Sequence, residues 1–254
     1  MKIGIIGYGN IGRTIVNAIK EGKIKCEIKG IFDIKKIDDK EFKFFSNFFE
    51  FIKQDFDLVI ECASQQAVRE YALEVLKNNK NLVIMSVGAL LDEELLEKLK
   101  NEAKNRNLKI YIPTGAIVGI DGVKAANLGG IEEVNLITRK NPKSLPDEYK
   151  NLKDEKIIYE GNAREAVKKF PFNINVAATL SLAGIGFEKT KVKIIADPKV
   201  NENVHEIYVK GKFGEILTIA KNVPSPNNPK TSYLAALSII ALLKKLTENF
   251  EIGS

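Results

Sequence analysis

Cysteine and histidine are scarce in this chain, and their scarcity excludes several kinds of site. Two cysteines, Cys26 and Cys62, are too few for a disulfide framework and show no metal-ligand spacing. The single histidine, His205, excludes a zinc site built on several imidazoles. We therefore expect a reduced protein without a resident metal. Its 254 residues are enough for one large domain or two closely joined ones.

Long hydrophobic runs and blocks of like charge are also missing. The apolar stretch from Tyr233 to Leu243 is shorter than the roughly 20 residues that cross a bilayer. The first residues, MKIGIIGYGN, run straight into glycines and lack the pattern of a signal peptide. The net charge is +6, but basic residues alternate with acidic ones, as in residues 98–104, which is typical of solvated helix faces. We expect a cytoplasmic protein that binds neither nucleic acid nor a membrane.

The pattern of apolar residues changes at Pro113. Before it, short apolar runs alternate with amphipathic stretches, which predicts an α/β domain with a parallel sheet and helices on both faces. After it, glycines interrupt a short helical segment, and longer alternating strands predict an antiparallel sheet in an inserted α+β domain, residues 114–230. A strongly apolar helix from Thr231 to Leu246 is expected to lie buried against the first domain. The α/β domain therefore comprises residues 1–113 plus 231–254.

The predicted elements have these bounds. Strands are expected at 2–6, 28–32, 58–61, 82–85 and 109–112, then at 134–138, 191–196, 204–209 and 215–220, and helices at 65–77, 92–106 and 174–183.

A glycine motif follows the first predicted strand directly and precedes a helix. Gly7, Gly9 and Gly12 form G-x-G-x-x-G: the first permits a tight turn, the second lets a pyrophosphate approach the backbone, and the third allows close helix–strand packing. Asn10 and Ile11 begin the helix, whose free N–H groups attract phosphate. Together these residues predict a dinucleotide site in a Rossmann domain.

An acidic residue stands where this fold binds a ribose. Asp33 ends the second strand 21 positions after Gly12, close to the spacing of about 20 for the acid that binds the ribose hydroxyls. Its charge favours NAD, whereas Lys35 and Lys36 leave NADP open because an ammonium offsets repulsion of a 2′-phosphate. FAD uses the same motif, but usually in larger enzymes.

The third strand leads into Cys62 and Ala63 at its carboxyl edge, where open α/β sheets bind ligands. Cys62 is either a nucleophile that forms a thioester or a small residue in the wall of the cofactor site. No residue that would activate the thiol is evident, so we favour the second interpretation and place both residues at the cofactor.

His205 begins a predicted strand, and a lone histidine in a strand is more often structural than catalytic. Four motifs in order along the chain, however, resemble the L-aspartate dehydrogenase family. They are GYGNIG at 7–12, GAIVGID at 115–121, NVAATLSLAG at 175–184, and DP at 197–198 followed by NVH at 203–205. The first is generic, the last two are much more specific, and the likeness covers essentially the whole chain.

The resemblance implies oxidation of the Cα–N bond of L-aspartate with NAD or NADP. The product, iminoaspartate, hydrolyses to oxaloacetate and ammonia or feeds quinolinate and NAD synthesis. The family also implies a homodimer in which a Rossmann domain joins an α+β catalytic domain. Its active-site histidine corresponds to His205, and its nicotinamide-side contacts correspond to Ala116 and Asn175.

From the residues alone, simpler roles remain open. Ala116 is also the small residue that a tight turn requires, and Asn175 is also a favoured helix cap. Arg139, Lys140 and Lys230 are candidates by type for binding two carboxylates, but the sequence does not place them.

Two rival classes share this architecture. A homoserine dehydrogenase or a dihydrodipicolinate reductase would use a lysine acid–base pair or several histidines, and the single histidine disfavours the latter. A regulator that senses NAD(H) without turnover is the other, but no DNA-reading helix-turn-helix is evident.

Overall fold

The computed structural model describes residues 1–37, 41–170, 175–225 and 228–253. The chain divides into two compact units. One comprises Met1–Pro113 and Ile239–Glu251, and the other contains Thr114–Ser238.

The first unit is a six-stranded parallel sheet with helices between its strands. Its strands are Lys2–Ile6 (β1), Glu27–Phe32 (β2), Phe44–Phe45 (β3), Leu58–Glu61 (β4), Asn81–Ile84 (β5) and Ile110–Tyr111 (β6). Its helices are Asn10–Lys20 (α1), Phe48–Ile52 (α2), Gln65–Lys77 (α3) and Glu93–Asn105 (α4). The strand order is β3-β2-β1-β4-β5-β6, so the direction of winding reverses between β1 and β4. Ligands bind such sheets outside the carboxyl ends of the strands at that point.

The core of this unit explains the apolar pattern at both ends of the chain. Ile3 and Ile5 of β1 and Ile15 of α1 are fully buried in one cluster. Ile239 and Leu243, near the end of the chain, are buried in the same cluster. The chain therefore returns to complete the first core, as the apolar periodicity predicts.

The second unit is built on a five-stranded sheet. Its strands are Ile131–Lys140 (β7), Lys156–Asn162 (β8), Thr190–Ala196 (β9), Asn203–Gly211 (β10) and Gly214–Asn222 (β11). Its helices are Ile120–Gly129 (α5), Ala163–Lys169 (α6) and Asn175–Ala183 (α7). A small hairpin of Pro224–Ser225 (β12) and Asn228–Ser232 (β13) leads into the last helix, Tyr233–Thr247 (α8).

The second sheet is mixed rather than wholly antiparallel. In the order β11-β10-β7-β9-β8, three neighbouring pairs are antiparallel, but β7 and β9 run parallel. A parallel pair needs a long crossover connection. Here β8, α6 and α7 supply it between the two strands. Neither β8 nor α6 is predicted from the sequence, because the edge strand KIIYEGN is largely exposed and lacks apolar alternation.

Candidate active site

The glycine loop joins β1 to α1, and two of its glycines are required by close packing. Gly7 has φ +98°, a backbone conformation that disfavours side chains, and a Cβ there would lie 2.8 Å from Ala63. A Cβ on Gly12 would collide with the carbonyl oxygen of Gly7. The loop therefore keeps its shape only with glycine at both positions.

Gly9 has a different role, because the space beside it is open. Apart from the two chain neighbours of Gly9, no described residue has a heavy atom within 4 Å of a Cβ built there, so a ligand can approach the backbone. Gly9 caps α1 without a side-chain hydrogen bond. The first turn contains Asn10 and Ile11 and no acidic residue, so the positive end of the helix dipole is not neutralised. These features fit the pyrophosphate of a dinucleotide.

Asp33 stands beside this loop at the end of β2. Its Oδ2 accepts a hydrogen bond from the Tyr8 N–H at 2.8 Å, and its Oδ1 accepts one from the Lys35 N–H, also at 2.8 Å. Two main-chain donors thus fix the carboxylate while each oxygen keeps a lone pair for a hydroxyl group. Arg13, which no sequence motif marks, stacks on Tyr8 with its guanidinium 5.0 Å from the ring centre.

Cys62 lies against the same loop. Its Sγ donates towards the carbonyl oxygens of Ile6 and Gly7 at 3.4 and 3.3 Å. Burial raises the pKa of the Cys62 thiol well above its usual range, and the charges of Glu61 and Asp33 raise it further. A thiolate nucleophile is therefore disfavoured, and Cys62 is suited to the wall of the site.

A buried carboxylate fixes the turn that carries Ala63. Glu61 Oε1 accepts hydrogen bonds from the N–H groups of Ala63 and Ser64 at 2.8 and 2.9 Å. Ser86 donates its hydroxyl to Oε1 at 2.9 Å and its N–H to Oε2 at 3.0 Å. Burial raises the pKa of Glu61, whereas these donors lower it. The sequence does not reveal this role, because a glutamate at the end of a strand carries no sign of its hydrogen-bond donors.

His205 lies on β10 in the second unit, with its side chain only 3% exposed. Its Nδ1 is 3.0 Å from the Thr138 hydroxyl, on the neighbouring strand β7. Burial, and then the positive charge of Lys140, lower the pKa of His205 to about 3. The imidazole is therefore neutral at pH 7 and presents one ring nitrogen as a hydrogen-bond acceptor, but it is a weaker base than an exposed histidine.

The cationic candidates fall into different environments. Arg139 forms ion pairs with Asp197 at 2.9 Å and Glu155 at 2.7 Å, so two acidic residues of the second unit neutralise its charge. Lys140 is only 5% exposed, and burial lowers its pKa to about 8. The side chain of Lys230 lies outside the described part of the chain.

Ala116 and Asn175 stand at two further positions of the second unit. Asn222 of β11 donates its side-chain N–H to the carbonyl oxygen of Ala116 at 3.0 Å and to that of Asn203 at 3.2 Å. This amide ties the turn at Gly115 and Ala116 to the sheet that carries His205. Asn175 is the first residue of α7, and its carbonyl oxygen accepts a hydrogen bond from Thr179.

The structure thus brings the predicted residues other than Asn175 together in two groups. Within the first unit, the glycine loop, Asp33, Cys62 and Ala63 lie at the carboxyl ends of β1, β2 and β4. Within the second, Asn222 links Ala116 to the end of β10 that carries His205. Among the described residues, no group of three or more His, Cys, Asp or Glu side chains is placed to hold a metal ion. Of the described helices, none has both the length and the apolar character needed to span a membrane.

Comparison with known proteins matches each unit to a dehydrogenase domain. The model "Aspartate dehydrogenase, C-terminal" matches residues 121–246, and "Homoserine dehydrogenase, NAD binding domain" matches residues 7–113. The L-aspartate dehydrogenase of Methanosarcina mazei is 47% identical over 272 residues and that of Methanothermobacter thermautotrophicus 44% over 263. These alignments cover all of this chain and 100% and 99% of the relatives.

Solved structures agree with the sequence comparison. The aspartate dehydrogenase of Thermotoga maritima superposes with a TM-score of 0.84 at 35% identity, covering 100% of this chain and 99% of that one. The dihydrodipicolinate reductase of Paenisporosarcina sp. TG-14 reaches 0.57 at 16% identity, covering 98% and 96%. The second likeness shows a shared fold alone.

Proposed function

The chain belongs to the L-aspartate dehydrogenase family, and from that membership we propose that it oxidises the Cα–N bond of L-aspartate with a nicotinamide cofactor. The reaction converts L-aspartate and NAD(P)⁺ into iminoaspartate, NAD(P)H and a proton, and water then releases oxaloacetate and ammonia. The observation that carries the proposal is the full-length identity of 41–47% to L-aspartate dehydrogenases. The open space at Gly9 and the neutral His205 supply the two features that this chemistry requires.

The first unit holds the cofactor in this proposal. The N–H groups at the start of α1 bind the pyrophosphate beside Gly9, and Asp33 binds the ribose hydroxyls. Cys62 and Ala63 complete these contacts within the first unit, while the roles of Ala116 and Asn175, in the second unit, stay predictions from the family resemblance. We assign this role to residues 1–113 with 231–254, and the substrate to residues 114–230.

Asp33 favours NAD over NADP, since its fixed charge repels a 2′-phosphate. Arg13 supports the alternative, because its guanidinium stacks close to the same loop and an arginine there accommodates that phosphate.

His205 handles protons in the substrate unit. A nicotinamide held by the first unit would supply the hydride acceptor for Cα, and His205 would receive the proton that the amine or the attacking water gives up. Accepting it at Nε2 requires the tautomer in which Nδ1–H donates to Thr138 Oγ1, and the 3.0 Å separation permits that bond. Thr138 is thus a positioning residue for the imidazole.

One assay tests the reaction. Purified protein is mixed with L-aspartate and NAD or NADP, and reduced cofactor is followed by its absorbance; oxaloacetate with ammonia and reduced cofactor tests the reverse direction. L-homoserine in parallel tests the rival suggested by the matched NAD-binding domain. Turnover of homoserine without turnover of aspartate would refute the proposal, as would no turnover of aspartate in either direction.

We further propose a homodimer joined through the outer face of β11. This edge strand exposes Leu217 by 67% and Ile219 by 52%, and Val223 beyond it by 59%. Such an apolar stripe is typical of an interface. Sedimentation should show a dimer that Leu217→Asp dissociates, whereas Leu128→Asp, at an isolated exposed leucine on α5, should leave it intact. A wild-type monomer would contradict this assembly.

Two finer proposals complete the assignment. Both cysteines are free thiols, as is usual in a reducing compartment, which supports a cytoplasmic location. The product iminoaspartate supports a place in pyridine nucleotide biosynthesis.

A further inference from the structure

One buried carboxylate joins the ends of two neighbouring strands of the first sheet. Glu61, the last residue of β4, is only 1% exposed. Its Oε1 accepts hydrogen bonds from the N–H groups of Ala63 and Ser64 and from the hydroxyl of Ser86, which lies beyond the end of β5. Its Oε2 accepts the N–H of Ser86. Four donors on two connections therefore converge on one side chain, where β4 and β5 run parallel.

Neither the core nor the next helix calls for a carboxylate at this position. The three residues before Glu61 in β4, 58–60, are apolar and at most 1% exposed, so an apolar residue would continue the buried strand. Burial raises the pKa of Glu61, which reflects the cost of removing a carboxylate from water. The start of α3 already has its own cap, since the Ser64 hydroxyl accepts the N–H of Ala67 at 3.1 Å. The carboxylate therefore serves the turn 62–64 and its surroundings.

This turn lies directly against the glycine loop. A Cβ built on Gly7 would lie 2.8 Å from both Cα and Cβ of Ala63. The Cys62 thiol donates to the carbonyl oxygen of Gly7 at 3.3 Å, and the Cys62 N–H donates to that of Ile6 at 2.9 Å. The carbonyl oxygen of Gly7 in turn packs so closely on Gly12 that a Cβ there would collide with it. A shift of the turn would therefore displace Gly7 and, through it, the start of α1.

We propose that Glu61 is a positioning residue for the dinucleotide: its carboxylate holds the turn 62–64 against Gly7 and so keeps the glycine loop in the form that binds a pyrophosphate. The inference rests on the proposed function, in which this loop binds a nicotinamide cofactor. Glu61 acts through the turn, because its side chain is buried and its oxygens already accept four hydrogen bonds. A loop that is fixed before binding loses less conformational freedom when the ligand arrives, and this strengthens binding without a new contact.

The test compares Glu61→Ala with Glu61→Gln and Ser86→Ala in calorimetric titrations with NAD and, in parallel, NADP. Glu61→Ala leaves the N–H groups of Ala63 and Ser64 without their acceptor. It should weaken the cofactor that wild type prefers by about 10-fold, as expected when ordering the loop costs as much as one ordinary hydrogen bond provides. Glu61→Gln should restore most of this affinity, because an amide oxygen at the position of Oε1 keeps both N–H groups. Ser86→Ala removes one hydroxyl, leaves both bonds to the turn and should bind within about twofold of wild type.

Melting temperatures of the same samples separate positioning from a merely structural role. A structural carboxylate predicts that all three variants lose stability while the folded protein of each binds cofactor as wild type does. The proposed role predicts a split, in which affinity falls in Glu61→Ala and not in Ser86→Ala. Binding needs no turnover, so a wild-type protein that binds NAD but does not oxidise aspartate would refute the proposed reaction and leave this test in force.

A second variant keeps the test decisive if Glu61→Ala does not fold. Glu61→Asp keeps the charge but withdraws it from the turn by one methylene group, so it should fold and lose part of the affinity. Unchanged affinity in the folded variant, or an equal loss in Ser86→Ala, would overturn the role of Glu61. So would a Glu61→Gln protein as weak as Glu61→Ala, a wild-type protein that binds neither cofactor, or failure of both Glu61→Ala and Glu61→Asp to fold, since the carboxylate would then serve folding.

Discussion

The main-chain N–H of Tyr8 donates a hydrogen bond to Asp33 Oδ2 across 2.8 Å, which joins the glycine loop to the end of β2. The two segments are 25 residues apart in the chain. One bond thus sets the position of the carboxylate that we propose for the ribose relative to the glycine loop that we propose for the pyrophosphate. In this proposal, a change at Asp33 also changes the geometry of the loop.

Asp33→Ala should weaken NAD and shift preference towards NADP. The substitution removes charge-assisted hydrogen bonds to the ribose, so we expect NAD binding to lose about 1–2 kcal/mol. Titration calorimetry with both cofactors measures the change, and Asp154→Asn, at an exposed loop residue, is the control. Unchanged constants for both cofactors would mean that Asp33 does not touch the ribose.

Gly9→Val should abolish cofactor binding without unfolding the protein. The space beside Gly9 is open, so the branched side chain fits the fold but occupies the path of the pyrophosphate. Gly12→Ala should act in the opposite way, because its Cβ meets the Gly7 carbonyl and must destabilise the loop. Melting temperature and NAD affinity of both variants test this pair. A Gly9→Val protein with normal affinity would leave the loop a purely structural role.

The glycine loop and the place of Asp33 beside it were predictable because their signals are local. Gly7, Gly9 and Gly12 stand within six residues, and Asp33 follows at a spacing set by one helix and one strand. The predicted bounds 58–61 and 65–77 coincide with β4 and α3. Ser64 explains the start of α3, since its hydroxyl accepts the N–H of Ala67 at 3.1 Å.

The surroundings of His205 depend on strand register, which the sequence does not reveal. Thr138 contacts His205, which lies 67 residues later in the chain. The predicted strand 134–138 ends two residues too early, because β7 continues to Lys140. Only the longer strand places Lys140 on the same face of the sheet as His205, where it is buried. The parallel pairing of β7 with β9 was equally hidden, because an unpredicted strand and helix form part of the crossover.

Glu61→Gln should destabilise the first unit. If the new amide oxygen keeps the donors at Oε1, its N–H₂ group faces the Ser86 N–H, and two donors then meet at a position 3.0 Å apart. An unsatisfied buried donor costs about 1–3 kcal/mol, which a urea titration will measure. Ser86→Ala, which removes only the hydroxyl, should cost less. Equal stability of Glu61→Gln and wild type would show that the carboxylate charge is dispensable.

Acidification should destabilise the protein partly through His205. Its pKa is about 3 in the folded state and about 6.5 in the unfolded chain, so the imidazole is neutral in both states above pH 6.5 and contributes nothing there. As pH falls below 6.5, the unfolded chain binds a proton that the folded state refuses. The free energy of unfolding therefore falls by about 1.4 kcal/mol per pH unit, or roughly 2–3 kcal/mol at pH 4.5.

His205→Gln isolates this contribution, because glutamine retains a polar group for Thr138 and does not titrate. The difference in unfolding free energy between the two proteins should be constant above pH 6.5 and shrink or reverse below it. A difference that is independent of pH down to 4.5 would mean that His205 is protonated in the folded state.

His205→Ala should lower kcat by about 10²- to 10⁴-fold, the usual contribution of a general acid or base. NAD affinity should change little, since the cofactor-binding loop belongs to the first unit. The cavity left by a side chain that was 3% exposed is suited to imidazole, so added imidazole should restore part of the turnover. Steady-state kinetics with and without imidazole measure both effects.

Thr138→Val provides the graded control. It removes the partner of Nδ1 but keeps the imidazole, so it should lower kcat by a smaller factor than His205→Ala and should not respond to added imidazole. A purely structural histidine predicts a different pattern, in which His205→Ala lowers the melting temperature while the folded fraction turns over normally. Melting temperature, NAD affinity and kcat measured on one preparation distinguish the two roles, because only proton transfer at His205 lowers kcat in a protein that remains folded and binds NAD.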